Sequence, residues 1–551
     1  MTFLAVSIAP EAPGDIPAAL EQARAAACDG AQLVEWRIDH LAEEPDALVL
    51  VRRLLAGSAL PCIVTCRPTW EGGHYDGDES RRVALFEAIG TGDHAPRYLD
   101  VELAAWSRSA NLRQKIKLVV DHANQPRGVT TALMLSSHDF HGRPPDLLQR
   151  FEAMTSEPAC AASKIAWRAR SLRDNLEAFE LLRARRGPTV ALCMGEFGLP
   201  SRVLAKKFGA LLTFAAPDGG RPTASGQPTV NELRRRWRFD SIGGETRLYG
   251  VIGWPVAHSR SPVLHNSGFD VVGHDGVYLP LPIPPAWEHF KATVGALVDD
   301  PHLGFRGASV TAPHKEHLIR LVRERGGRVH AVAEAIGAAN TLAVGDDGML
   351  ACTNTDAEAA RATLIEEGGL DPAILASSRV AVIGAGGAAR AVALHLAGFG
   401  ATVVIFNRTA ARAESLAHEL GESLAESDAA RGASRDGHDG PRGRIVAGRM
   451  ESIACGCFPI VVNCTPVGMA GGPDPTGSPL PDEFPFEPGL TVFDTVYAPA
   501  VTPLMREARD GGANVVGGLG MLLRQAAAQF RWWTGADAPM ALWRESMAAD
   551  G

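Results

Sequence analysis

Apolar and polar positions alternate along the first 216 residues in two different rhythms. Short apolar runs of strand length occur as FLAVSIA, AQLVEWRID, CIVTCR, YLDVEL, ALMLSSHDF, SKIAWRA, TVALCMG and LLTFAA. Between them lie stretches such as DIPAALEQARAAACDG and DNLEAFELLRARRG, whose apolar spacing is helical. Eight strands with intervening helices predict a (β/α)₈ barrel. A ninth run, KIKLVV at 115–120, exceeds that count and is assigned to an inserted hairpin or a helix end. TVNELRRRWRF reads as the last barrel helix, and the glycine-rich DSIGGETR marks a joint at 240–247. A new strand, LYGVIGWPV, opens a second α/β region, and the βαβ rhythm restarts near Arg379. The expected organisation is therefore α/β throughout: a barrel over 1–238, a substrate lobe over 247–355, and a Rossmann lobe over 356–551 whose C-terminal helices return to the cleft.

Composition narrows the function classes. The 551 residues exceed what one hydrophobic core supports. A formal net charge of −9 argues against general nucleic-acid binding. No apolar run reaches the roughly 20 residues of a membrane helix, and MTFLAVSIAPEAPGDI has no basic stretch before its apolar run, so it reads as a strand rather than a targeting peptide. Nine scattered cysteines suit reduced thiols in the cytoplasm, and Cys455-Gly-Cys457 is too sparse for a metal site. The polar, Gly- and Asp-rich segment 425–444 reads as an unstructured surface insertion.

Polar residues at barrel strand ends point into the mouth. Here these are Glu35, Arg37, Arg67, His138 and Lys164, with Glu71, Arg202 and Gln227 on loops. Lys164 interrupts an apolar strand, where burial disfavours the ammonium form and makes the amine nucleophilic toward a ketone. His138 can exchange protons near neutrality, and arginines offer a fork to a carboxylate. Each has a plainer alternative: Lys164 snorkelling or ion-paired, His138 bonded to Asp139, Glu35 paired with Arg37.

Together EWRID, TCRPTWEGG, SSHDF, SKIAW, MGEFGLPSR and SGQP resemble type I 3-dehydroquinate dehydratase over nearly all of residues 1–237. The resemblance implies Lys164 as the Schiff-base residue and His138 as the proton-transfer residue. It also implies Glu35, Arg37, Arg67 and Arg202 as substrate contacts, with Thr223 and Gln227 in a closing loop. That loop lacks the proline common in the family, which would loosen the lid.

In VAVIGAGGAARAVALHLAGFGATVVIFNRTAAR, the turn Gly384-Ala385-Gly386-Gly387-Ala388 between strand and helix suits a pyrophosphate. Past the second strand, where a carboxylate would select NAD, stand Asn407, Arg408 and Thr409, with Arg412 a turn later. A guanidinium there attracts a 2′-phosphate, so the cofactor expected is NADP. In the preceding lobe, Ser259 and Ser261 are two apart and would face one way if extended. Thr311, Lys315, Asn340 and Asp356 complete a polar set. A lysine held by an aspartate suits carbonyl reduction, although a surface salt bridge is equally consistent with that pair, and serines before proline often only form turns.

These motifs, with NCTPVGM, DTVYAP and GMLLRQAA, resemble shikimate dehydrogenase from about Thr246 to Gly535, in the domain order of the fused plant enzyme. The resemblance implies Lys315 and Asp356 as the catalytic pair. It implies Ser259, Ser261, Thr311, Asn340, Tyr497 and Gln525 as substrate contacts, and Thr465 and Gly518 near the cofactor. The small molecules expected are 3-dehydroquinate, 3-dehydroshikimate and shikimate. A quinate-preferring second half, another Schiff-base lyase, and a metabolite-sensing regulator are the alternatives; the four catalytic groups and the paired serines weigh against them.

Overall fold

The computed structural model describes residues 2–120, 130–432 and 443–549. The chain packs as two compact units, Met1–Thr246 with Asp275–Pro282, and Arg247–His274 with Ile283–Gly551.

In the first unit, eight strands run parallel: β1 (Phe3–Ile8), β2 (Leu33–Arg37), β3 (Cys62–Thr65), β4 (Tyr98–Glu102), β5 (Ala132–Asp139), β6 (Cys160–Arg168), β7 (Thr189–Met194) and β8 (Leu212–Ala215). Their order is β7-β6-β5-β4-β3-β2-β1-β8. A hydrogen bond from Leu211 N to Thr189 O, 2.8 Å, links the two ends of that sequence, so the barrel is nearly closed. All eight apolar runs read from the sequence are strands, and KIKLVV is the end of the helix Ala110–Val120. The outer helices bury one stripe each. Helix Ala47–Gly57 buries Ala47, Leu50, Val51, Leu54 and Leu55, the spacing of one helical face. TVNELRRRWRF differs from the regular helix expected, since Glu232–Arg236 is wound as a π-helical turn.

The barrel interior is filled by side chains. One cluster contains Ala5, Leu33, Ile63, Tyr98, Met134, Ala162, Ala166, Val190, Leu192, Met194, Leu212 and Phe214. The polar residues nearer the carboxyl ends of β2 to β6 cannot join this cluster without partners, because burying an unpaired charge is costly. They form their own network, described below.

The second unit has two sheets. In the first, strands Arg247–Gly253, Phe305–Val310, Thr341–Val344, Leu350–Thr353 and Arg328–Val329 lie side by side in that order. The first two are parallel, and the third is antiparallel to both of its neighbours. The other sheet is wholly parallel, in the spatial order Arg444–Gly448, Thr402–Phe406, Arg379–Ile383, Ile460–Asn463, Thr491–Asp494, Asn514–Val516. This is the Rossmann arrangement, with the order reversing at the central strand Arg379–Ile383.

Helix Leu519–Thr534 packs on the first sheet: Ser309 Oγ donates to Gln529 Oε1 at 2.6 Å, and Trp533 Nε1 donates to Leu342 O at 2.9 Å. The unstructured insertion expected at 425–444 needs correction at both edges. Residues 425–432 continue the helix Ala410–Gly432, and Arg444 begins a strand paired in register with Thr402. Residues 433–442 lie outside the described residues. Among the described residues no helix is long and apolar enough to cross a membrane.

Candidate active sites

The barrel mouth is organised by acidic and basic residues on neighbouring strands. Glu102 on β4 is in register with Ser136 on β5, and Ser136 with Lys164 on β6. Lys164 is buried, and its Nζ lies 3.0 Å from Glu35 Oε1, 2.9 Å from Asp100 Oδ2 and 4.3 Å from the Phe214 ring centre. Burial was the feature visible in the sequence; the pairing of the amine with two carboxylates was not. Burial would raise the Glu35 carboxyl, but the Lys164 and Arg37 charges and the Ser7 hydroxyl at 2.5 Å bring it below its ordinary value. Burial acts likewise on Asp100, and Arg67 and Lys164 hold that carboxyl well below the usual range.

Arg67 faces the same cavity, but its guanidinium is committed to protein carboxylates. Nη1 bonds Glu102 Oε1 and Ser136 Oγ, and Nη2 bonds Asp100 Oδ1, each at 2.8 Å. Arg82 takes the other oxygen of Glu102 at 2.7 Å. Arg37 pairs with Asp39 at 2.6 Å rather than with Glu35, and Asp39 also accepts the Arg67 main-chain N–H at 2.8 Å.

His138 is paired with Glu71, not with Asp139. Its main-chain N–H and its Nδ1 both meet Glu71 Oε1, at 2.8 and 2.9 Å. Oε1 already accepts the main-chain N–H, so the ring is assigned with Nδ1–H as donor and a lone pair on Nε2. Burial, reinforced by the Arg67 and Lys164 charges, pushes the imidazole well below its ordinary value; burial pushes Glu71 up to about 8. Both shifts disfavour an ion pair.

Arg202 is buried in the cavity wall, and its Nε and Nη2 have no hydrogen-bond partner. Burial lowers it to about 10, which leaves it charged at neutral pH. A buried cation without an anion is the signature of a site that takes one from solution. Thr223 and Gln227 close the rim: Thr223 Oγ1 donates to Ser7 Oγ at 2.9 Å, and Gln227 Oε1 accepts from Thr223 N at 3.1 Å.

In the second unit, Lys315 Nζ donates to Asp356 Oδ2 at 2.6 Å, with side-chain exposures of only 14% and 8%, so this is not a surface salt bridge. Asn340 Nδ2 donates to Asp356 Oδ1 at 2.9 Å and reaches Gln525 Oε1 at 3.5 Å. The extended geometry expected of Ser259 and Ser261 is corrected: Ser261 begins the helix Ser261–Val272, and Ser259 Oγ accepts its N–H at 3.3 Å. Burial raises the Tyr497 phenol, opposed by bonds to Arg260 and Ser259, which places Tyr497 beside the serines. Thr311 follows strand Phe305–Val310 and donates its N–H to Ile252 O at 2.8 Å.

The glycine turn fits a dinucleotide by two tests. Gly384 has φ +118°, a backbone conformation in which a side chain would be strained, and a Cβ there would fall 3.0 Å from Cys464 O. A Cβ at Gly386 would meet nothing within 4 Å, so its approach is open. Gly387 opens the helix Gly387–Gly398, with Ala385 before it and Ala388 in its first turn. Past strand Thr402–Phe406, Arg408 and Arg412 are exposed and have no acidic partner among the described residues, while Asn407 Nδ2 donates to Thr409 O at 3.0 Å. Thr465 is tied to Asn463 Oδ1 at 2.7 Å. Gly518 caps helix Leu519–Thr534, and a Cβ there would lie 2.3 Å from Thr495 O.

The sequence reading named Glu71 without a role and missed Asp39, Asp100, Glu102 and Gln529. The signal for Asp100 and Glu102 was present: two acids at alternate positions of an apolar strand face one way.

Comparison with known proteins identifies the family. The family patterns that match are type I 3-dehydroquinase over residues 12–243, shikimate dehydrogenase substrate binding domain over 251–342, shikimate/quinate 5-dehydrogenase over 371–430, and shikimate 5′-dehydrogenase C-terminal domain over 518–547. Over 534 residues the chain is 35% identical to the chloroplastic bifunctional 3-dehydroquinate dehydratase/shikimate dehydrogenase of Arabidopsis thaliana, covering 94% of this chain and 80% of that protein. It is 40% identical to the shikimate dehydrogenase (NADP(+)) of Citrifermentans bemidjiense, across 56% of this chain and 97% of the relative. Among solved structures, shikimate 5-dehydrogenase from Thermus thermophilus in complex with NADP(H) and shikimate aligns at 33% identity and TM-score 0.44, covering 55% of this chain and 99% of that one.

Proposed function

This chain belongs to the family of bifunctional 3-dehydroquinate dehydratase/shikimate dehydrogenases, and we propose that its residues divide two consecutive reactions as follows. The barrel, 1–238, dehydrates 3-dehydroquinate to 3-dehydroshikimate. The lobes at 247–355 and 356–551 reduce that ketone to shikimate with NADPH.

In the barrel, the Lys164 nitrogen adds to the substrate ketone, two protons of its ammonium leave with the carbonyl oxygen as water, and the remaining proton stays on the resulting iminium. The iminium withdraws electrons from the neighbouring C–H, and His138 Nε2 takes that proton while Glu71 fixes the ring. The β-hydroxyl departs as water with the proton returned by His138, and hydrolysis frees Lys164. Arg202 receives the substrate carboxylate, with Glu35, Arg37, Thr223 and Gln227 around the ring. Arg67 holds Asp100 and Glu102 in place and lines the same cavity as a further substrate contact.

In the second unit, Lys315 gives a proton to the carbonyl oxygen as it becomes an alkoxide; Asp356 fixes the lysine, and Asn340 fixes Asp356. Ser259, Ser261, Thr311, Tyr497 and Gln525 orient the hydroxyls and carboxylate. When bound, the reduced nicotinamide supplies the hydride. The turn 384–388 and Thr465 and Gly518 seat the dinucleotide, and Asn407, Arg408, Thr409 and Arg412 receive the 2′-phosphate. The nine cysteines are free thiols, which supports a reducing compartment, the cytoplasm.

The observation that carries the barrel assignment is one cavity lined by Lys164, His138 and the unpartnered Arg202. The test supplies purified protein with 3-dehydroquinate and NADPH and follows nicotinamide oxidation, which needs both activities. Lys164→Ala abolishes it and leaves reduction of added 3-dehydroshikimate intact. If that variant still oxidised NADPH from 3-dehydroquinate, the assignment would be wrong.

A further inference from the structure

A cavity of about 610 Å³ lies in the second unit, apart from Lys315 and Asp356. Its walls include Arg247, Arg306, Arg328, His330, Asp346 and Trp532. Arg247 and Arg306 lie at the amino ends of two parallel strands, whereas Thr311 follows the carboxyl end of the second. The five steps along the chain from Arg306 to Thr311 span about 17 Å when extended, so the cavity and the proposed reduction site sit at opposite ends of one sheet.

The lining is unusual for a protein with a net charge of −9. It brings three guanidiniums together against one carboxylate. Among the described residues Arg247 and Arg328 have no acidic partner. Arg306 bonds Gly345 O at 3.2 Å and Asp346 at 3.1 Å, yet its Nε is buried with no acceptor. Asp346 is 85% exposed, so this pair is solvent-screened and contributes little. Part of the wall is aromatic: Trp532 and His330 meet edge to face at 5.0 Å, and Tyr249 lies 5.4 Å from Trp533. The volume falls in the range of small-molecule sites.

We propose that this cavity is a second ligand site, for a small planar carboxylate such as an aromatic acid. The arginines supply forks for the carboxylate, and the aromatic wall supplies a face for a flat ring. Phosphate alone would satisfy the arginines and leave that wall unused.

The probe is benzoate, titrated calorimetrically into the full chain, with cyclohexanecarboxylate and inorganic phosphate for comparison. Benzoate binds saturably and more tightly than either. Arg328→Gln and, separately, Arg247→Gln weaken it about tenfold or more, the scale of losing a charge-assisted contact. Trp532→Ala removes the preference for benzoate over the non-planar acid. Arg202→Gln, which empties the barrel's own carboxylate contact, leaves this binding unchanged. Both arginines are exposed, so their variants keep the wild-type melting temperature. Absence of saturable binding overturns the proposal. So does binding lost in Arg202→Gln but retained in both other arginine variants, or phosphate binding as tight as benzoate.

Discussion

Gly387 faces the aliphatic stem of Lys315 so closely that a Cβ on the glycine would lie 2.8 Å from Lys315 Cδ. The start of the helix Gly387–Gly398 and the lysine proposed as proton donor thus share one contact. Gly387→Ala pushes Lys315 out of line with Asp356. Because a misplacement of about 1 Å can cost roughly 100-fold, kcat for reduction of 3-dehydroshikimate drops by between about tenfold and 100-fold. Dehydration of 3-dehydroquinate, followed by product absorbance, stays at the wild-type rate.

Arg202 sets stability against function. In the free protein it is a buried guanidinium with two unpartnered nitrogens. Arg202→Gln therefore raises the stability of the ligand-free barrel by roughly 1–3 kcal/mol, read from chemical denaturation. The same change raises KM for 3-dehydroquinate about 100-fold, because a charge-assisted carboxylate bond is lost. A destabilised variant would contradict the open guanidinium seen in the cavity.

In the proposed reaction His138 sets the acid limb of dehydration. Its imidazole is held well below 6.5 by burial, with Arg67 and Lys164 adding to the effect. The neutral base therefore persists as pH falls through 6.5, and kcat/KM for dehydration declines only at lower pH. Glu71→Ala lowers kcat by about tenfold or more through loss of ring orientation, with KM little changed, and Glu71→Gln recovers most of it. Equal losses in both variants would remove Glu71 from this positioning role.

His265 gives the second unit a pH-dependent stability. It is fully buried among Phe530, Trp533 and Trp543, and burial drives it down to about 3. Below 6.5 the unfolded chain takes up a proton that the folded chain refuses. Stability is thus full above 6.5 and falls toward pH 3 by up to about 1.4 kcal/mol per pH unit. His265→Leu flattens this slope in urea titrations at successive pH values.

Arg408→Asp reverses the nucleotide preference. The exposed guanidinium has no acidic partner among the described residues, so the change leaves the fold intact. The new carboxylate repels a 2′-phosphate and can accept a ribose hydroxyl. The kcat/KM for NADPH falls about 100-fold, and that for NADH holds or rises.

Much of this architecture was legible because barrel and Rossmann folds write their strands as separate apolar runs. All eight barrel strands stood out that way, and so did the glycine turn at Gly384. What stayed hidden was which charges meet. Arg37 and Glu35 share a strand, yet Arg37 turns to Asp39, and His138 turns to Glu71, 67 residues away, rather than to adjacent Asp139. Partner choice is set by strand register and loop path, which spacing within a single segment does not reveal. The serines misled for a related reason: Pro262 suits the first turn of a helix, so Ser261 starts one instead of extending the strand.

Lys164 rests between the carboxylates of Glu35 and Asp100, and in the proposed reaction condensation with a ketone turns its ammonium into a protonated imine. Each species carries a single positive charge at nearly the same point. The surrounding anions thus meet an unchanged electrostatic demand on entry and exit, and no dipole has to swing round between them. Under that scheme the strands that carry these anions need no rearrangement, which lets this part of the barrel be as stiff as packing allows.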